Sequence, residues 1–142
     1  MSDYRLVERV PLVEEYNSVR AAAGLGERDP GAAALRLPNT LFGVCVESGG
    51  RVVGIGRIIG DGGLFFQIVD VAVVPERQGE GLGTLVMDAL VSWLEGNAST
   101  GAYVQLVAAE GTTGFYERHG FRIRTPEASG MSFMTFQDAQ SL

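Results

Sequence analysis

The chain has 142 residues, 46% of them hydrophobic, which suits one domain with a real core and argues against a disordered segment. Its formal net charge of −6 disfavours a nucleic-acid partner and mildly favours a cationic small molecule. All 11 basic residues are arginine, which removes lysine Schiff-base chemistry and the Walker phosphate lysine, and the single cysteine, Cys45, excludes an internal disulfide framework.

Residues 1–5 lack the basic-then-apolar pattern of a signal peptide, and no apolar run approaches the roughly 18 residues of a membrane span. A cytoplasmic location with no membrane partner is the expectation. Residues 4–9 read as a short strand. Pro11 precedes residues 12–23, where Leu12, Tyr16, Val19 and Ala23 recur at helical spacing. Gly24 and Gly26 stop that helix. Asp29-Pro30 pairs an N-cap with proline at the first helical position, so a short helix to about residue 35 follows. Residues 41–47 and 51–59 read as a hairpin around the turn at 47–50. After Gly60-Asp61-Gly62-Gly63, residues 64–74 make a long, mostly apolar strand ended by Pro75. Residues 81–94 form a helix whose expected buried face is Leu82, Leu85, Val86, Ala89, Leu90 and Trp93. Residues 103–108 make a buried strand and 112–118 a short helix stopped by Gly120 at C′. Residues 121–124 and 131–136 read as closing strands. The order β-α-α-β-β-β-α-β-α-β-β predicts one α/β domain over residues 1–142, with a mixed sheet and helices on both faces.

The segment Arg77-Gln78-Gly79-Glu80-Gly81-Leu82-Gly83 follows a buried strand and opens an amphipathic helix. The first turn of a helix has unpaired N–H donors and partial positive charge, so it suits an anion. Glycines at 79, 81 and 83 let a phosphate approach the backbone closely. Gln78 adds a neutral donor and Arg77 a charge. Spacing alone leaves the choice open. A Rossmann fingerprint needs glycine where Thr84 stands, a Walker loop needs lysine, and a simple helix cap has the same glycine pattern.

The wider segment Val71-Ala-Val-Val-Pro-Glu-Arg-Gln-Gly-Glu-Gly-Leu-Gly83 resembles the acetyl-CoA motif of the GCN5-related N-acetyltransferase (GNAT) family, with Gln78, Gly81 and Gly83 in the motif positions. A second segment, Gly114-Phe-Tyr-Glu-Arg-His-Gly-Phe121, resembles the family's later motif, a short helix ending in Gly-Phe. The resemblance spans roughly residues 41–136. Val53-Gly-Ile-Gly-Arg-Ile-Ile-Gly-Asp61, Val69-Asp-Val-Ala-Val73 and Gly130-Met131 further resemble the branch of bacterial and plastid enzymes of the serotonin N-acetyltransferase type. The resemblance implies an acyl-CoA N-acyltransferase fold with a mostly antiparallel central sheet, acetyl-CoA as donor and no metal. It implies a cofactor site at Val71, Ala72, Val73, Gln78, Gly79, Glu80, Gly81, Leu82, Gly83, Thr84, Tyr116 and Arg118. It also implies that the helices of residues 12–35 shape the acceptor site.

Making an amide from a thioester requires a deprotonated amine, a donor for the oxyanion and an acid for the thiolate. The resemblance implies direct transfer, with Tyr116 near the cofactor sulfur as the acid; a phenol is protonated at neutral pH. It also implies that the strand of Val71 to Val73 splays from the one after it and offers its backbone to the pantetheine arm. Asp70, a carboxylate inside an apolar strand, is a candidate base; the alternative is a structural aspartate bonded to a loop or to Arg57. Glu110 and a water chain are the other candidates. Arg118 could reach cofactor phosphates or stay solvated. Arg57 and Asp61 could pair or position their hairpin. His119, the single histidine, suits a helix C-terminus, Cys45 a core position and Trp93 the core.

The expected activity is acetyl transfer from acetyl-CoA to a primary amine, a small-molecule amine being favoured over a protein amine. The alternative is a non-catalytic acyl-CoA sensor, against which Tyr116 argues. Exposed sheet edges suit a homodimer.

Overall fold

Valine, isoleucine and phenylalanine crowd positions 42–73, and there the chain builds three long strands. The computed structural model describes residues 3–132. Their contacts divide the chain into two units, Met1–Leu106 and Val107–Leu142. In the first unit, β1 (Tyr4–Val7) is followed by helices α1 (Val13–Ala22) and α2 (Pro30–Arg36). Strands β2 (Phe42–Ser48), β3 (Arg51–Gly60) and β4 (Phe65–Val73) come next, then helix α3 (Leu82–Asn97) and strand β5 (Tyr103–Gln105). The sheet runs β1-β2-β3-β4-β5, antiparallel throughout except for the parallel pair β4 and β5. Parallel pairing of those two strands follows from the helical crossover between them. Among the described residues, no helix is long and apolar enough to cross a membrane.

Local signals set the helix ends. Asp29 accepts from the Ala32 N–H at 2.9 Å, as its N-cap position predicts. At the start of α1, Glu15 takes the Leu12 N–H at 2.8 Å and pairs with Arg9 at 2.8 Å. Gly24, at φ +85°, ends α1.

Adjacent residues of a strand point to opposite faces, and β3 shows which helix covers which. Arg57 points toward Tyr16 of α1. At the neighbouring Gly56, a Cβ would lie 2.6 Å from Val86 Cγ1 and 3.1 Å from Leu90 Cδ1, both on α3. Helices α1 and α3 therefore cover opposite faces, as predicted. The buried side of α3 is Leu82, Val86, Met87, Leu90 and Leu94. Leu85, Ala89 and Trp93, expected in that set, are half-buried. Trp93 stacks on Phe42 at 5.4 Å and meets the edge of Phe66 at 6.0 Å.

The second unit contains one short helix, α4 (Thr113–Glu117). Gly120, at φ +93°, follows it, and the Phe121 N–H closes the end onto Tyr116 O at 3.3 Å. Residues 121–124 are not a strand, contrary to expectation. The other closing strand lies largely outside the described residues; its first two positions, 131 and 132, are irregular. Strand β5 also stops at Gln105, three residues short of the predicted end.

The absent side chain at Gly56 lets α3 sit directly on the sheet. Gly56→Ala is expected to lower unfolding stability by about 1–3 kcal/mol through overpacking. Combining it with Val86→Ala should cost less than the sum of the two single changes. Chemical denaturation of the four proteins measures this, and simple additivity would mean that the two positions do not touch.

Candidate functional site

Strand β4 does not run evenly along β3. Ile55 faces Ala72 and Arg57 faces Val69, so Gly56 alone stands against both Asp70 and Val71. Two residues against one is a β-bulge, which bends the strand and re-aims its side chains. Asp70 takes φ +58°, and it is the only non-glycine residue with positive φ among those described. Aspartate tolerates that conformation better than its apolar neighbours would.

The side chain of Asp70 anchors the bulge. Its Oδ1 lies 2.5 Å from Arg20 Nη1. Its Oδ2 accepts from Arg57 Nε at 2.9 Å and from the Tyr16 hydroxyl at 2.9 Å. The Asp70 and Arg20 side chains are each only 7% exposed. The remaining donors of Arg20 go to the Gly26 and Leu25 carbonyls, and Arg57 Nη1 donates to Thr40 Oγ1 at 2.6 Å. Both guanidinium groups lie over the Tyr16 ring, at 5.7 and 5.5 Å. Burial, with the Asp70 charge beside it, raises the Tyr16 pKa. This is a structural ion-pair network. Two guanidinium groups and a phenol bond to the two oxygens of Asp70, which is the partner arrangement of the structural alternative. Arg57 does not pair with Asp61. The Asp61 carboxylate instead takes the Gly63, Leu64 and Phe65 N–H groups in its own turn, which lowers its pKa.

Already ahead of the bulge, β4 parts from β5. Their parallel pairing covers only Phe65 to Gln67 against Tyr103 to Gln105. From Ile68 to Val73, no strand among the described residues pairs with the outer edge of β4. An extended chain could add to that edge by backbone hydrogen bonds.

The glycine loop follows. Gly79 and Gly81 adopt φ +82° and +83°, and a Cβ on either would project into open space. Gly81 is the N-cap of α3, and no side chain caps that helix. Its first intrahelical bond is Leu85 N–H to Gly81 O at 3.0 Å, so the N–H groups of Leu82, Gly83 and Thr84 lack helical acceptors. This is an open, donor-lined cradle of the right kind for a pyrophosphate. Its side chains are arranged differently from expectation. Gln78 Nε2 donates to Val73 O at 2.9 Å and staples the loop to β4. Arg77 pairs with Glu80 at 3.0 Å and Asp3 at 3.0 Å and donates to Ser48 Oγ at 2.6 Å, so it turns away from the cradle and takes the Glu80 carboxylate with it. Leu82 is 1% exposed, so its side chain belongs to the core rather than to the loop surface. The donors of this loop are main-chain groups.

In the second unit, Tyr116 is half-buried on α4, and burial raises its pKa. Phe115 packs edge-on to both Tyr116 and His119, at 5.0 and 5.1 Å. Arg118 is exposed, with its guanidinium 5.8 Å from the Phe115 ring centre. Glu110 is exposed in the preceding turn. Cys45, back in the first unit, is fully buried and its thiol is pushed up to about 11 by burial, which suits core packing rather than reactivity.

Tyr16 and Arg20 were legible only in part. Tyr16 stands out as an apolar helix position; Arg20 does not. The available signal was their i, i+4 spacing, which places an arginine one turn beyond a buried tyrosine.

Comparison with known proteins agrees with this architecture. The family model described as "Acetyltransferase (GNAT) domain" matches residues 39–123. Serotonin N-acetyltransferase 2, chloroplastic, of Oryza sativa subsp. japonica is 38% identical over 87 residues, covering 61% of this chain and 42% of the rice protein. GCN5-related N-acetyltransferase 1, chloroplastic, of Arabidopsis thaliana is 33% identical over 127 residues, 88% of this chain and 64% of the relative. The match thus spans about two fifths to two thirds of the length of these relatives. Among solved structures, a probable acetyltransferase of unknown function from Staphylococcus aureus superposes with a TM-score of 0.88 at 34% identity, covering 92% of this chain and 98% of the other. The chain belongs to the GNAT acetyltransferase family.

Replacing Asp70 by Asn leaves two buried guanidinium groups sharing no counter-charge. Asp70→Asn is expected to destabilise the fold by about 3–5 kcal/mol in urea unfolding. A variant of unchanged stability that loses only reaction rate would return Asp70 to the role of base.

Proposed function

We propose that this chain is an N-acetyltransferase that moves an acetyl group from acetyl-CoA to a small-molecule primary amine by direct transfer. The observation that carries the reading is the pairing of an uncapped α3 N-terminus, opened by Gly79 and Gly81, with a β4 edge left unpaired past Gln67. The main-chain N–H groups from Gly79 to Thr84 would hold the pyrophosphate. The edge of Val71, Ala72 and Val73 would pair with the amide-bearing arm of the donor, with Val73 O already shared with Gln78.

In the reaction the amine nitrogen bonds to the thioester carbonyl carbon, the C–S bond breaks, and the amine gives up one proton. A backbone N–H on the unpaired edge of β4 is suited to the carbonyl oxygen as it gains charge. Tyr116 is the proposed acid for the leaving thiolate. Its motif position and its raised pKa support that role, since burial keeps the phenol in its donating form. The sign follows. A raised pKa means the acid is present at neutral pH and is lost only as pH climbs through a value above the ordinary phenol value of 10.0.

Two variants test this. Tyr116→Phe is expected to lower kcat by about a hundredfold and to abolish the alkaline fall in the kcat–pH profile. A variant with full kcat, or one that keeps the same alkaline limb, removes Tyr116 from the chemistry. Gly81→Asp puts a carboxylate in front of the α3 N-terminus and should weaken CoA binding by about a hundredfold or more by calorimetry, the scale set by apposed like charges. Wild-type affinity in a folded Gly81→Asp protein would mean that the pyrophosphate sits elsewhere. Tight CoA binding by the wild type without turnover on any amine would favour the acyl-CoA sensor.

A further inference from the structure

Beside the Asp70 network, on the α1 face of the sheet, lies a cavity of about 200 Å3 lined by Tyr16, Arg28, Ala33, Arg36, Leu37 and Arg57. Ala33 and Leu37 are buried and give it an apolar wall. Two of its lining residues, Tyr16 and Arg57, touch Asp70 Oδ2, and Asp70 directly precedes Val71 in the bulge. The cavity therefore borders the strand proposed to hold the donor. Its volume is below the range of drug-sized pockets, so it suits a small acceptor.

Three arginines around one small cavity are unexpected in a chain of net charge −6. Arg57 pairs with Asp70, and the first-unit arginines outside the cavity all have carboxylate partners too, which leaves Arg28 and Arg36. The larger cavity, about 390 Å3 near β1, shows the contrast, because its Arg5, Arg9 and Arg51 pair with Glu47, Glu15 and Glu76. Arg28 and Arg36 make no ion pair or side-chain hydrogen bond among the described residues. Their backbones, however, are held. The Arg28 N–H donates to Asn17 Oδ1 at 2.9 Å, and Asn17 Nδ2 donates to Arg28 O at 3.0 Å, with Asn17 only 7% exposed. Arg36 closes the Asp29-capped helix α2, where a cation is favourable in any case. Arg57 adds to the field, since Asp70 carries one negative charge against the two positive charges of Arg20 and Arg57.

We infer that the acceptor is a small amine bearing an anionic group, a carboxylate or a phosphate, on an apolar body, and that Arg28 and Arg36 bind that group. This rests on the proposed N-acetyltransferase activity and names its acceptor class. It reverses the expectation of a simple cationic acceptor drawn from net charge, because two arginines without carboxylate partners add a positive local field to this cavity. The same field helps the chemistry. Positive surroundings disfavour an ammonium ion, so they favour the neutral amine that attacks. Guanidinium groups suit both oxyanions through paired N–H donors.

The test compares acceptors that share an amine and a body but differ in the anion: phenethylamine against phenylalanine, tryptamine against tryptophan, and ethanolamine against phosphoethanolamine. Acetylation is read by mass with saturating acetyl-CoA. In at least one pair the anionic member should have the higher kcat/KM by about tenfold, the scale of one hydrogen bond to a charged group; the pair that shows it separates carboxylate from phosphate. Arg28→Gln and Arg36→Gln, both at exposed positions, should each raise KM for that acceptor about tenfold. Each should raise the KM of the matching plain amine much less than that of the anionic acceptor, and both proteins should stay folded by melting temperature. If the plain amines react as well as their anionic partners, or if the substitutions weaken both members alike, the inference fails and the acetyltransferase reading survives. If no acceptor is acetylated at all, both fail.

Discussion

The buried ion-pair network at Asp70 is the constraint on which the rest of the first unit depends. It joins three elements that are far apart in sequence: α1 through Tyr16 and Arg20, β3 through Arg57, and β4 through Asp70 itself. A buried carboxylate with two guanidinium partners is costly to break and geometrically demanding. Here it fixes the one non-glycine positive φ among the described residues, and with it the bulge that bends β4. The bulge lies in the stretch of β4, past Gln67, that no longer pairs with β5.

The two helices packed on the sheet have distinct tasks. Gly56 lets α3 approach within van der Waals contact of β3, which brings the α3 N-terminus close behind the end of β4. The loop between them is short and cross-tied, by Gln78 to Val73 and by Arg77 to Glu80, Asp3 and Ser48. Those ties account for a loop that keeps main-chain donors open while carrying a glutamate. Arg77 supplies a counter-charge to the Glu80 carboxylate. On the other face, α1 and α2 carry the arginine-lined cavity, and two of its lining residues, Tyr16 and Arg57, bond to Asp70 in the bent strand.

Much of this was readable from the residues. Hydrophobic periodicity, Asp29-Pro30 and the punctuating glycines place the helices and the three long strands to within a few residues. The glycine loop was legible because backbone donors need glycine whatever the ligand. What the sequence concealed was pairing. Asp70 reads as a buried carboxylate of uncertain use, and only the fold shows that Arg20, fifty positions away, claims one oxygen while Arg57 and Tyr16 share the other. Arg77 reads as a phosphate ligand because its three partners are invisible in one dimension. Arg28 and Arg36 look like ordinary solvated arginines until the cavity brings them together. Residues 121–124 have strand composition yet form none, a reminder that β-propensity describes fit to a neighbouring strand rather than a backbone preference.

The central claim is that main-chain N–H groups at the start of α3 and the free edge of β4 together hold acetyl-CoA. Backbone amide NMR during a titration with CoA tests it most directly. The largest shifts are expected on the amides of Gly79 to Thr84 and of Val71 to Val73, with the Tyr4 to Val7 strand unmoved. Saturable binding whose shifts spare the 79–84 amides would contradict it.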